Sequence, residues 1–330
     1  MIEILGPTYR YNGEILTEPE IIYIMDHHYD ELDRCFHIKK LLESSACDPM
    51  NHLIVFDHVV QQDDVFAPYK CACLPIFLSK TEQQFNRQQI RPDWNQKRRT
   101  FNFMINKIRY NRTFLLTLLE HFGLTDYEYT LCWKNNSIDR TSMLADTNNL
   151  LYQQIIKSAK LDISNRQYLF GTENLLDQGL QYGALTNAQV YQTFLQKEVF
   201  EPTCISLITE PGFFERETIV TEKTIMSIYA GTVPIWVGGW RIADYMRDQG
   251  YDVFDDIIDH SYQKLTDPWD RCYYAIKLNI DLLCDFSKVK MLIEQNQNRL
   301  LNNLNLLKNN HFYNTAKQGI EHYSLPIKIT

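Results

Sequence analysis

The stretch Thr221–Gly239 constrains the fold of this chain more than any other, because it reads as a capped helix followed by a buried strand. Thr221 is a capping residue ahead of Glu222 and Lys223, Gly231 offers a left-handed stop, and Pro234 stands at the start of the apolar run Ile235–Val237. Upstream, Cys204–Ile208 is a second short apolar run, ending at Thr209-Glu210. Strand, helix and strand in this order predict a βαβ unit of a parallel sheet, whose ligands gather at the C-terminal strand ends. Glu210 and Glu222 are then expected to face one cleft. A cation in a first helical turn opposes the helix dipole, so Lys223 calls for an anionic ligand shared with the exposed backbone N–H groups.

These residues carry a family resemblance. Glu210, then Ile219-Val-Thr-Glu222-Lys223, a helix, and Ala230-Gly-Thr-Val-Pro-Ile-Trp-Val-Gly238 resemble the donor-site signature of the fucosyltransferase family of inverting GT-B glycosyltransferases. More weakly, Arg99–Leu119 resembles the strand, loop and Arg-bearing helix that open the family's nucleotide domain, and Val253–Tyr262 resembles the segment C-terminal to the signature in microbial and viral relatives. The resemblance implies an α/β GT-B fold: two Rossmann-like domains, a cleft between them and C-terminal bracing helices. It implies that Glu222 bonds the nucleotide ribose, that Lys223 and Arg112 neutralise the diphosphate, and that Glu210 lies beside the donor sugar. Arg109, one turn from Arg112, is the alternative diphosphate ligand, and Thr221 completes the nucleotide site. Ile219 stands where the family usually has an aromatic residue and Pro211 where it has Asn, which leaves the base and sugar open. A GDP-sugar, with fucose as the family's sugar, is favoured over a UDP-sugar. No metal and no further cofactor are expected.

The chain of 330 residues is 45% hydrophobic and 22% charged, enough for two α/β cores. Apolar runs and helical stretches place a small acceptor-side domain over 1–95, including a helical stretch near Glu31–Leu42. The nucleotide-sugar domain occupies 96–285 and a helical segment 286–330, with a polar connector at Gln88–Arg98. Ala72–Leu78 reads as one apolar run, and Cys71 and Cys73, on one face of a strand, as core. Eight cysteines without metal-ligand spacing point to reduced thiols. No apolar run approaches the roughly 20 residues that span a bilayer, and the N-terminus lacks the pattern of an export signal. A cytoplasmic protein is expected, in the host cytoplasm if viral, without membrane insertion; its oligomeric state is open.

A formal charge of −8 argues against a dedicated nucleic-acid groove, yet residues 80–112 hold nine Lys or Arg against Glu82 and Asp93. This segment reads equally as a solvated surface and as a diphosphate site flanked by a polyanion-binding surface. A glycan is the expected acceptor, with a protein or modified DNA as further classes. An inverting transferase needs a base for the acceptor hydroxyl, and Asp57, ahead of His28 and Asp26, is the candidate from the N-terminal domain. Two other function classes stay open. Asp26-His27-His28, with Asp57, resembles a metal-dependent phosphoesterase motif, and a module that binds nucleotide sugars or glycans without turnover would need the same donor contacts.

Overall fold

Apolar runs of the N-terminal region form the strands β1 (Ile2–Ile4), β2 (Tyr9–Arg10), β3 (Ile21–Ile24), β4 (Leu53–Phe56), β5 (Val59–Val60) and β6 (Lys70–Cys73). Of these, β2, β3, β4 and β6 pair in that order, all parallel. This computed structural model describes residues 2–4, 9–10, 21–24, 53–56, 59–60, 70–88, 90–104, 110–125, 130–131, 144, 146–160, 187–210, 213, 217–325 and 327–329. The helix expected near Glu31–Leu42 and the Asp26-His27-His28 tripeptide lie outside them. The run Ala72–Leu78 is split: β6 ends at Cys73, and helix α1 (Ile76–Arg87) begins after Pro75. Proline lacks the N–H that a ladder needs, and its fixed φ suits a helix start. Within β6, Ala72 is buried while Cys71 and Cys73 share the half-buried face, so the thiols are not core.

The second sheet has the order β11-β9-β7-β8, again all parallel. Its strands are β7 (Arg99–Met104), β8 (Thr130–Leu131), β9 (Thr203–Thr209) and β11 (Val233–Val237); the short β10 (Glu217–Thr218) lies between β9 and β11 in the chain. Every residue of β9 and β11 is buried, as in a sheet covered on both faces. Alternation then divides the side chains between two cores. Phe101, Phe103, Ile205, Leu207, Ile235 and Val237 belong to one, and Ile208 and Trp236 to the other.

The first core is closed by α2 (Tyr110–His121), α3 (Leu150–Ser158), α7 (Pro268–Lys277), α8 (Ile280–Leu283) and α9 (Phe286–Gln295). The second is closed by α4 (Asn187–Val190), which continues as a π-helix over Tyr191–Phe200, and by α5 (Glu222–Tyr229), α6 (Ile242–Asp248), α10 (Gln297–Lys308) and α11 (His311–His322). Polar side chains inside the sheet bond one another. Asn102 Nδ2 donates to Thr203 Oγ1 and Ser206 Oγ, and Ser206 Oγ bonds Thr232 Oγ1. Among the described residues no helix is long and apolar enough to cross a membrane.

Helix α5 ends as its sequence predicts, at Gly231 with φ +60. Carbonyls at its C-terminal end are taken by the connector: Lys97 Nζ donates to Ala230 O (3.2 Å) and Trp94 Nε1 to Gly231 O, and Lys97 Nζ also donates to Phe200 O (3.4 Å) at the end of the π-helix. Lys97 is therefore not part of a solvated basic surface. Burial pulls its ammonium down to about 8, against the pull of Cys204, Glu201 and Asp93.

The C-terminal helices touch both sheets' helices: α11 packs on α1, and α10 packs on α1 and α5. A small core of Val55, Ala72, Leu74, Ile76, Ala316, Ile320 and Leu325 joins α11 to the first sheet, and β12 (Ile327–Ile329) pairs antiparallel with β1. At this brace Glu82 is fully buried and accepts bonds from the N–H groups of Phe312 (3.2 Å) and Tyr313 (2.9 Å) in the first turn of α11. Burial pushes its carboxyl up to about 8, with the α11 N–H groups pulling the other way.

Between the ordinary value of 4.5 and about 8 the folded chain holds a proton that the unfolded chain has released. Stability is then greatest below this window and falls as pH rises through it. Thermal midpoints of wild type should drop by a few degrees across the window. Glu82→Gln should flatten that dependence; an unchanged slope in the variant would contradict the assignment.

Candidate functional site

The C-terminal ends of β7 and β9 and the N-terminal ends of α2 and α5 converge, as expected where parallel strands deliver side chains to a crevice. Thr221 is extended (φ −118, ψ −175) and caps α5, its hydroxyl accepting from Lys223 N (3.5 Å). Ser/Thr side chains favour this position because they satisfy one of the free N–H groups of the first turn. Glu222 comes next in that turn, where a negative charge suits the dipole. Lys223 bends back, with Nζ donating to Thr221 Oγ1 (3.2 Å) and Glu222 Oε1 (3.2 Å). The Lys223 and Glu222 side chains keep 15% and 24% of their surface, so the pair is reachable from solvent.

Glu210 sits differently from the expectation of a carboxylate beside a sugar. It is 1% exposed, and both oxygens are engaged by the start of α5. Oε1 accepts from Thr221 N (2.9 Å) and Thr224 Oγ1 (3.2 Å), and Oε2 from Thr221 Oγ1 (2.5 Å). In this arrangement Glu210 orients the first turn of α5 and presents no oxygen to a ligand. Burial pushes its carboxyl above the usual range, opposed by Lys223 and the Thr221 bonds and reinforced by Glu222. Glu222 moves the other way. Burial raises it, but Lys223, the helix N–H and Arg112 together hold it below the usual range. The acid that ends β9 and the acid that starts α5 are thus separated into a group that resists ionisation and an anion.

Arg112, 4% exposed, belongs to the first turn of α2 and donates from Nε to Thr209 Oγ1 (3.3 Å) at the end of β9. Its charge is one of the influences that lower Glu222. Asn111 fixes this junction: Nδ2 donates to Glu210 O (2.7 Å), and Oδ1 accepts from Arg112 N (2.9 Å). Gly238, after β11, has φ +85, and a Cβ there would stand 3.6 Å from Asn111 Cβ and 3.1 Å from Cys272 Sγ. Ile219 is buried, so the position where the family carries an aromatic points inward.

The structure therefore brings together Arg112, Glu210, Thr221, Glu222 and Lys223. Asp57 and Arg109 lie outside the described residues, as do His28 and Asp26. Asn111, Thr209 and Thr224 join the site without a clear mark in the sequence; a helix-start Asn before an Arg is the one signal available, since its partner lies 99 residues away. The short β5, two residues after β4, pairs antiparallel with β10, in the loop that leads to Thr221. Thus the N-terminal region meets the loop of the candidate site. Among the described residues no group of three or more His, Cys, Asp or Glu is placed to hold a metal ion.

No protein-family model matches the chain, and no curated protein does. Solved structures similar to it include two trehalose-phosphate synthases. One is an alpha,alpha-trehalose-phosphate synthase (UDP-forming) from Burkholderia vietnamiensis, 11% identical over 92% of this chain and 73% of that chain, with a TM-score of 0.34. The other is a UDP-forming synthase of the same kind from Burkholderia xenovorans, 11% identical over 90% of this chain and 74% of that chain, also with a TM-score of 0.34.

Proposed function

We propose that this chain is an inverting glycosyltransferase of GT-B organisation that takes its sugar from a nucleoside diphosphate, GDP-sugar ahead of UDP-sugar. The observation that carries the reading is a pair of cations on the carboxyl side of a parallel sheet: Lys223 in the first turn of α5, and Arg112 bonded to Thr209, the neighbour of the Glu210 that holds that turn. Two cations at the start of a helix whose dipole favours negative charge, in a partly desolvated setting, suit a diphosphate. Glu222, held ionised, is an acceptor for ribose hydroxyls.

In the reaction the anomeric C–O bond to the diphosphate breaks while the acceptor oxygen bonds the opposite face of the same carbon. The acceptor proton goes to a base, for which Asp57 is our candidate, and the nucleoside diphosphate leaves with the bonding electron pair. Lys223, Arg112 and the α5 dipole stabilise the charge that develops on the leaving group, the term expected to dominate. Glu210 acts on the same step indirectly, by holding Thr221 and the turn that carries Lys223. The N-terminal region would supply the acceptor side, with a glycan as the first acceptor class.

The reading is tested with a panel of GDP- and UDP-sugars and acceptor glycans, with and without chelator. We expect release of nucleoside diphosphate that depends on acceptor and survives chelator, with an inverted anomeric centre in the product. Thermal shifts with free GDP and UDP give a second readout, since a ligand of the native state raises apparent stability. No shift and no release with any donor would remove the reading.

A further inference from the structure

Arg271, in the first turns of α7, is fully buried and binds the backbone of three loops. Nε donates to Gly238 O (2.9 Å), Nη1 to Leu265 O and Thr266 O (3.1 Å each), and Nη2 to Phe213 O (2.8 Å). The guanidinium also lies over the Trp240 ring, 5.6 Å from its centroid. Two of these loops border the candidate site. Phe213 lies between Glu210 and Thr221 in the chain, and Gly238 ends β11 against Asn111, which in turn holds Glu210 O. Thr218 Oγ1 donates to Trp240 O (2.8 Å), a second tie between the same two loops.

We propose that Arg271 is a positioning residue for the donor site. Its planar fork locks the loop after β9 to the loop after β11, and so fixes where the first turn of α5 presents Lys223 and Glu222. A flat guanidinium with five donors can serve carbonyls from several directions at once. An ammonium, with three donors at a single point, cannot span Phe213 O and Gly238 O while reaching the α7 approach. The geometry also explains why an arginine is spent on backbone carbonyls deep in the fold: loops at strand ends have few bonds of their own, and a site built on them is only as well placed as its supports. The inference rests on reading the start of α5 as a donor site.

Arg271→Lys keeps the charge and most of the stem, and Leu325→Ala, in the small core beneath α11, serves as a control for lost packing away from the site. Two readouts are taken well below the melting transition: GDP and UDP affinity by calorimetry, and amide hydrogen exchange in segments 217–222 and 238–241 without ligand. For Arg271→Lys we expect affinity to fall about ten-fold, because displacements of the order of an ångström weaken contacts of fixed geometry. Exchange in the two segments should rise by a similar factor, while Leu325→Ala changes neither.

If wild type binds nucleotide and Arg271→Lys binds it equally well, the positioning role is wrong and the donor-site reading stands. If wild type binds neither nucleotide, the donor-site reading falls and exchange decides the rest. A rise confined to the two segments would still support the loop clamp; unchanged exchange would overturn it.

Discussion

Glu210→Ala is expected to lower stability by about 3 kcal/mol and to abolish measurable nucleotide binding. The carboxylate accepts from Thr221 N, Thr221 Oγ1 and Thr224 Oγ1 in a place closed to water. Its removal leaves the backbone donor without a partner, and a buried unsatisfied group costs about 1–3 kcal/mol. The two hydroxyls can rotate, and Thr224 Oγ1 already accepts from Trp236 Nε1, so their losses are smaller. The first turn of α5 would then lose the support that orients Lys223. Glu210→Gln keeps the volume and one acceptor oxygen, so it should lose less stability while still impairing transfer. Urea unfolding checks the first part: the midpoint should fall at an unchanged slope. An alanine variant as stable as wild type would mean that these bonds do not form in solution.

Lys223→Ala should act in the opposite way, with little effect on the fold and a large one on binding. Among the described residues its ammonium bonds groups of its own turn, Thr221 Oγ1 and Glu222 Oε1, and a partly exposed ion pair contributes on the order of 1 kcal/mol. Toward a diphosphate the same group makes a charge-assisted bond, whose loss costs about 1.5–3 kcal/mol, or roughly ten- to hundred-fold in affinity. Calorimetric titration of GDP into the variant measures this directly. Wild-type affinity in Lys223→Ala would remove the residue from the diphosphate site.

The unit from β9 to β11 is legible in the sequence because both strands are buried on both faces and read as mostly apolar runs, with a Thr cap and a Gly stop marking the helix between them. The cation at the helix start is legible for the same reason. What Glu210 does is not: an acid at a strand end looks alike whether it faces a ligand or a neighbouring helix cap, and only the fold shows that Thr221 and Thr224 enclose it.

Helix α1 is hidden in the sequence because its buried face includes Ser79, Thr81 and Glu82 beside Ile76, Leu78 and Phe85, which blurs the apolar period. Of these polar residues Glu82 is explained by α11, whose first N–H groups it accepts from. Lys97 reads as one more cation of a basic segment, since the carbonyls that make its burial tolerable are those of Phe200 and Ala230, far along the chain. Arg271 gives no signal at all. Its partners are backbone atoms, which any sequence supplies.

The most direct test of the donor site is a crystal structure with GDP bound in the presence of chelator. The account predicts diphosphate oxygens within ~3 Å of Lys223 Nζ and of the Arg112 guanidinium, the Lys223–Glu222 pair opened, and Glu222 facing the ribose. A nucleotide bound elsewhere, with Lys223 still paired to Glu222 and Arg112 still turned to Thr209, would contradict it.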